Sequence, residues 1–534
     1  MKIFGGLDDQ IILLIWSKLS HKPFVLSESH LLKCQGYGAI FQGLMHPFDT
    51  TRPLHELMVS FLLSLGNVRT FNVILFVVLL LNFVLSFSYF KKYKFGLIYS
   101  LIFSLSSYMW VHLVHLSLLS IWLIPLFMSL YERLWGKFEV RKILIMGLYI
   151  SLAVLFSNYL GFFVLVLFVV LTLSRILAER IFLKEFKISH VENLAGTLLI
   201  SFVAVVLILS PYLQSTYLSS KERSVQFGLD RKMTRTYEDF FYFSSRPWYF
   251  FLPSVKNPVF GMYSQRIYDR IEETNYFLAD DYQWSEHSAN YFGLALLIFS
   301  VYVFILVFLK GNNNAKTDLA SLLITLAVLV SVMMPPYFTV SGVKIFTPGF
   351  LVYRLFPMFR STVRLSIIVL FCLLVSLAKG VEYICANGLL NLKLLRTVLI
   401  FVAVFTLVET YVPVDVLELN EPSQVYKYIN DNTDLTAVIA VYPYQETREA
   451  LYWIDIHRRC LINIRGLRTS SFNSETFTHN ISSEEGRLDL VAAGVDYLVV
   501  MKYPESQKLA ADLDADPNFS LVIELEDSYL YEIK

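Results

Sequence analysis

The chain has 534 residues, of which 55% are hydrophobic and 17% charged, and its mean hydropathy is +0.54. Water-soluble domains carry roughly 45–50% apolar and about 25% charged residues, so this composition points to lipid rather than water. A formal net charge of +1 excludes the broad basic surface that nucleic acid requires, and no nucleic-acid partner is expected.

Residues 1–69 open with Asp8 and Asp9, followed by the amphipathic residues Ile11, Ile12, Leu14, Ile15 and Trp16. An apolar stretch at 55–65 follows Pro53 and is too short to span, which predicts an interfacial or re-entrant helix. A spanning helix needs roughly 20 apolar residues. Runs near that length fall at 70–90, 96–110, 117–132, 143–157, 160–175, 191–212, 290–309, 318–334, 364–380 and 395–412, which predicts about ten transmembrane helices. The fold class expected is an α-helical polytopic membrane bundle over 70–412, followed by a small extracytoplasmic α/β domain over 413–534.

Basic residues orient the loops. Lys91, Lys92 and Lys94 share one loop, Arg133, Lys137, Arg141 and Lys142 another, Arg175, Arg180, Lys184 and Lys187 a third. Lys310 with Lys316, then Lys379, Lys393 and Arg396, continue the alternation, whereas the turns at 110–116 and 158–161 hold no Lys or Arg. The basic side is cytoplasmic by the positive-inside tendency. Segments 1–69, 213–289, 335–363 and 413–534 then lie outside. With the N-terminus outside, the topology predicts a further helix upstream of Met1.

Beyond residue 420 short apolar runs alternate with polar stretches, and 495–501 reads as a buried strand with a helix over 506–513. Cys34, Cys372, Cys385 and Cys460 form neither a CxxC pair nor a metal-ligand spacing; Cys34 and Cys460 would share a compartment and could pair.

Four constellations carry chemistry. Asp8 and Asp9 can bind a divalent cation or serve as a general base, and equally can sit at a helix N-terminus. His112 and His115, three apart at a turn between spans, can hold a metal or a phosphate oxygen, or simply bond to backbone at a polar helix end. Arg354, Arg360 and Arg364 precede a span on the side where arginine is disfavoured, so phosphate recognition or lipid-headgroup binding is expected of them. Asp280, Asp281 and Glu286 form an acidic loop that either supplies further carboxylates or is solvated. The segment His457-Arg458-Arg459 reads as a surface turn. No Walker-type loop, HExxH or GxSxG is present.

The order of these features resembles bacterial GT-C type membrane glycosyltransferases, including the YfhO-like membrane proteins, over nearly the whole chain. The matching stretches are Asp8, Asp9 and Trp16, Asn72 at the opening of a span, 103–115 ending in the two histidines, Pro125 and Tyr159. They continue with 237–245 leading to Leu252 and Pro253, Glu286 before Tyr291, and 357–364 from Pro357 to Arg364, where Ser361, Thr362 and Val363 stand in place of a proline between the arginines. The resemblance implies transfer of a sugar from a polyprenyl-phosphate donor to an envelope glycan, lipid or protein. It places the catalytic base or metal ligand on Asp8 or Asp9, with Mg or Mn as the candidate cation and Arg360, Arg364 and Arg354 on the donor phosphate. A lipid or lipid-linked-sugar transporter and a non-catalytic membrane scaffold are the alternatives; the absence of a convincing internal repeat counts against the transporter.

Overall fold

The structure, a computed structural model, describes residues 2–4, 68–113, 115–134, 139–186, 188–227, 237–273, 285–356, 359–414, 416–418, 421–443, 447–461, 481, 483–492, 494–504 and 506–534. Asp8, Asp9, Asp280, Asp281, the stretch 55–65 and Cys34 lie outside the described residues. Two compact units emerge, one over 75–208 and 233–415 and a second over 1–74, 209–232 and 416–534.

After strand β1 (Lys2–Phe4), the helices of the bundle are α1 (Val68–Phe90), α2 (Gly96–Ser104), α3 (Ser107–Val111), α4 (Leu123–Leu134), α5 (Val140–Phe156), α6 (Asn158–Ala178) and α7 (Ile188–Phe227). They continue with α8 (Tyr237–Tyr242), α9 (Gly261–Glu272), α10 (Leu294–Lys310), α11 (Asn313–Met333), α12 (Gly349–Leu355), α13 (Ser366–Ala386) and α14 (Leu392–Thr410). A hairpin of β2 (Tyr337–Val340) and β3 (Val343–Phe346) stands between α11 and α12.

Among the described residues six helices are long and apolar enough to cross a membrane: 72–90, 158–183, 188–208, 286–310, 313–333 and 362–386. That identifies a membrane protein, and these six coincide with the runs predicted at 70–90, 160–175, 191–212, 290–309, 318–334 and 364–380. The run at 96–110 breaks into α2 and α3 at Leu105–Ser106, and the run at 117–132 becomes helical only at Leu123. At this break Ser107 Oγ donates to the Tyr291 carbonyl (2.9 Å), and Ser104 Oγ lies 3.2 Å from Ser86 Oγ of α1. The freed polar groups are satisfied from neighbours, as lipid-depth backbone requires. Asn82 of α1 donates to the Leu119 carbonyl (2.7 Å) and accepts from the Trp122 N–H (2.9 Å), while Trp110 Nε1 donates to the Leu105 carbonyl (3.0 Å).

Burial ranks the spans. The window on α13 is 83% buried and forms the axis of the bundle, whereas that on α7 is 17% buried and lies at its periphery. Small residues permit the contacts. A Cβ on Gly380 of α13 would come within 2.5 Å of Val303 of α10, and one on Gly161 of α6 within 2.3 Å of the Val154 backbone of α5. The α6, α11 and α13 ends that carry Arg175, Asp318 and Lys379 are tied by ion pairs of 3.7 and 3.0 Å, with Glu179 and His190 (3.3 Å) beside them.

In the second unit β1 pairs with β4 (Val416–Glu418). The rest comprises α15 (Gln424–Asn432), β5 (Val438–Tyr442), α16 (Thr447–Tyr452), α17 (Ile454–His457), β6 (Cys460–Leu461), α18 (Glu484–Ala492), β7 (Tyr497–Met501), α19 (Ser506–Asp514), β8 (Phe519–Glu524) and β9 (Ser528–Ile533). Five strands form one mixed sheet in the order β6-β5-β7-β9-β8, parallel on the β6 side and antiparallel on the β8 side. All five residues of β5 are buried, as expected of a strand covered on both faces. The segment read as a surface turn is instead a lock. Arg459, 2% exposed, donates to the carbonyls of Ile429, Asn430 and Thr433 at the end of α15, and His457 is fully buried.

Candidate functional site

At the end of the bundle remote from Lys310 and Lys379, four irregular segments converge: the α3 terminus, 243–252, the 3₁₀ turn Ser285–Asn290 and the 3₁₀ turn Thr362–Leu365. Backbone bonds knit them together. Val363 N–H donates to the Phe243 carbonyl (3.2 Å) and Ser245 N–H to the Met333 carbonyl (2.8 Å), while Ser245 Oγ bonds to Asn290 Oδ1 (3.1 Å).

The centre of this end is Glu286, 5% exposed. Arg364 grips its carboxylate bidentately, Nε to Oε2 at 2.9 Å and Nη2 to Oε1, and Ser361 Oγ adds a third bond at 3.1 Å. The Arg364 guanidinium also lies 4.7 Å over the Tyr159 ring. Both histidines turn towards the same carboxylate, His115 Nε2 at 3.6 Å and His112 Nε2 at 3.9 Å.

Helical spacing places Tyr108 one turn before His112, so their rings stack at 4.0 Å and His112 Nδ1 lies 2.8 Å from the Tyr108 carbonyl. A carbonyl only accepts, which commits the Nδ1 proton and leaves Nε2 able to donate towards Glu286 only when the ring is charged. Burial pushes His112 below the ordinary histidine value, outweighing the pull of Glu286. The neutral ring is therefore the resting form near pH 7.

Arg360 stands apart from this clamp, with its guanidinium 4.2 Å over the Phe243 ring. Phe359 stacks on Phe162 of α6 at 4.0 Å and meets Tyr159 edge-on at 5.4 Å, so the arginine segment is seated on an aromatic floor. Arg354 is not gathered in. It lies on α12, exposed, over the Phe350 ring at 5.5 Å.

Of the residues singled out from sequence, His112, His115, Glu286 and Arg364 form one cluster, with Arg360 on the same short segment. Glu286 is buried, which settles the choice offered for its loop against a solvated position at that residue. Among the described residues no group of three or more His, Cys, Asp or Glu is arranged to hold a metal ion, and the two histidines meet a carboxylate already occupied by arginine.

Three participants escaped the sequence reading. Tyr108 was signalled by its four-residue spacing from His112. Arg246, a lone arginine in an aromatic run, is buried and donates to the Phe241 carbonyl (2.8 Å) and to Ser244 Oγ (2.6 Å), shaping the loop from within. Glu409, the acid at the end of the last apolar run, accepts from Tyr291 Oη (3.0 Å) and caps the start of α10 at Ala295 N–H (3.4 Å).

A family profile described as Domain of unknown function (DUF6311) matches residues 52–407, two thirds of the chain and nearly all of the bundle. The chain belongs to that family. No curated protein matches it. In this DUF6311 chain the matched region holds the whole histidine–glutamate–arginine cluster, and the five-stranded sheet of the second unit lies beyond its limit.

Proposed function

We propose that the chain is a membrane glycosyltransferase of GT-C type that moves a sugar from a polyprenyl-phosphate donor to an envelope glycan, lipid or protein. The observation that carries this reading is the arginine segment at the mouth of an apolar bundle. Arg360 lies over the Phe243 ring, while Arg364, four residues on, is anchored through Glu286. A cation held at the junction of lipid-facing helices and polar loops suits a phosphate whose tail stays in the bilayer. Aromatic rings at this level (Tyr159, Phe162, Phe359) suit an isoprenoid and a sugar ring.

The lysine-bearing loops lie at the other end of the helices, so the positive-inside tendency puts this end on the outer face of the membrane. Arg360 stabilises the charge developing on the departing lipid phosphate. Asp8 or Asp9 takes the proton of the acceptor hydroxyl, and inversion at the anomeric carbon follows from a single displacement. No donor set among the described residues fits Mg or Mn, and no step is assigned to either.

A lipid or lipid-linked-sugar transporter, or a non-catalytic scaffold, is the second reading: there Asp8 and Asp9 are dispensable, and the Glu286–Arg364–Ser361 cluster serves to hold the segments at this end together.

The test is transfer from short-chain polyprenyl-phosphate sugars by the purified chain in lipid nanodiscs. Asp8→Asn/Asp9→Asn should abolish turnover, and Arg360→Gln should lower it roughly 10²–10³-fold, as loss of one preorganised anion-stabilising donor does. Lipid binding without turnover for any donor sinks the enzyme reading in favour of the second.

A further inference from the structure

The hairpin β2–β3 leaves the bundle directly after α11, through Met334, Pro335 and Pro336, and α12 follows it before the arginine segment. Its register is fixed: Tyr337 opposite Phe346, Phe338 opposite Ile345, Thr339 opposite Lys344 and Val340 opposite Val343. Ser341 and Gly342 both take positive φ (50° and 80°), the primed two-residue turn whose twist matches that of the strands.

Side chains alternate between the faces of a strand, so the two faces of this hairpin have different chemistry. One carries Tyr337, Phe346, Thr339 and Lys344. Its base is tied down, with Tyr337 edge-on to Phe241 at 4.7 Å, Phe346 against Phe350 at 4.8 Å and Lys344 over the Tyr337 ring at 4.6 Å. The other face carries Phe338, Ile345, Val340 and Val343, and the last three are 53%, 51% and 65% exposed. The adjoining α12 repeats the pattern, with Leu351 and Leu355 one turn apart and 58% and 65% exposed.

A two-stranded hairpin with an uncovered apolar face is marginal in water. We propose that β2–β3 and α12 form an interfacial blade whose apolar face (Val340, Val343, Ile345, Leu351, Leu355) is inserted at the headgroup–acyl boundary of the bilayer. Three features select lipid as the occupant. The blade begins within four residues of the end of a spanning helix, which keeps it close to the membrane surface. Its anchoring base is aromatic, as is usual at that depth. Its cations, Lys344 and Arg354, each lie over a ring of that same base (Tyr337 and Phe350), placed as headgroup-level charges are. The blade would thus hold the bilayer surface beside Arg360 whatever chemistry that arginine serves.

The test is spin labelling of Val343→Cys, Ile345→Cys and, on the opposite face, Thr339→Cys in the full chain, reconstituted in phosphatidylcholine–phosphatidylglycerol vesicles, with the parent chain labelled in parallel as blank. Labels at 343 and 345 should be reached by oxygen and lose accessibility to the aqueous nickel reagent, with the label at 339 the more nickel-accessible. Nickel access at 343 and 345 overturns the proposal. So does protection from both reagents, which would mean that another part of the chain covers the face, and so does dipolar broadening between labels, which would mean a second copy.

Discussion

Removing either partner of the Glu286–Arg364 pair should damage the bundle far more than removing both. The side chains are 6% and 15% exposed, so the pair is largely shielded from solvent, and the guanidinium meets the carboxylate through two donors. Glu286→Gln leaves a buried guanidinium without its counter-charge. Arg364→Met leaves a carboxylate facing Ser361, His112 and His115. Breaking a buried pair from one side costs about 3–5 kcal/mol, whereas replacing both members by neutral groups of similar volume is often near neutral. The double variant Glu286→Gln/Arg364→Met should therefore cost less than either single, which makes the coupling at least as large as one single loss, about 3–5 kcal/mol. Reversible unfolding of the purified chain in mixed micelles, read for the four members of the cycle, measures it. Single variants within about 1 kcal/mol of the parent, or a double variant equal to the sum of the singles, would refute the claim that the two charges depend on one another.

Three more outcomes are expected. His112 has its value depressed in the fold, so its contribution is present above the unfolded value of about 6.5 and is lost as pH falls through the depressed one. His112→Gln should flatten the acid-side decline of the melting midpoint between pH 7 and pH 5, read by a pH series of thermal melts. Asn82→Leu frees a buried carbonyl and a buried N–H, each worth about 1–3 kcal/mol when unmade, so unfolding in micelles should show a loss of roughly 2–5 kcal/mol. Arg459→Ala strips the carbonyls at the end of α15 of their donor and should cost about 2–4 kcal/mol, with amide exchange in α15 rising first and Arg459→Lys restoring only part because a single ammonium cannot also replace Nε on Thr433 Oγ1 and Nη1 on the His457 carbonyl.

Several of the spans and the strands of the second unit were open to sequence reading because each is a repeated pattern. The run at 364–380 is continuous and apolar, and it became the most buried helix; Tyr497–Met501 is a strand and Ser506–Asp514 a helix where alternation and periodicity put them. What stayed hidden depends on distant partners. Glu286 sits among Asp280, Asp281 and His287, a composition that reads as solvated, and only Arg364, 78 residues away, makes its burial tolerable. Arg459 has the look of a surface cation until α15 supplies its carbonyls. Asn82 inside an apolar run has no local meaning; its purpose is the broken backbone at Leu119 and Trp122. The β2–β3 hairpin was legible in principle, through period-two alternation around Ser341-Gly342, but an aromatic-rich loop beside a span masks that signal.

The two arginines of the 359–364 segment have separate tasks, and the backbone is the reason. On an α-helix, residues four apart would share a face. Here Ser361 is neither helical nor fully extended (φ −84°, ψ 72°), and the 3₁₀ turn begins only at Thr362, so Arg364 is carried inward to Glu286 while Arg360 remains over Phe243. It follows that Arg360→Gln should cost the unliganded chain clearly less than the roughly 3–5 kcal/mol of breaking the Glu286–Arg364 pair, because its guanidinium lies over the Phe243 ring and not in that clamp. A polyprenyl-phosphate ligand at a hundredfold excess over its dissociation constant stabilises its binding protein by about 2.7 kcal/mol. The parent chain should show a stabilisation of that order with the ligand, and Arg360→Gln should lose most of it. A variant that unfolds without ligand, or one that keeps the full ligand-induced shift, would show that Arg360 shares the structural task of Arg364 and would remove it from the phosphate site.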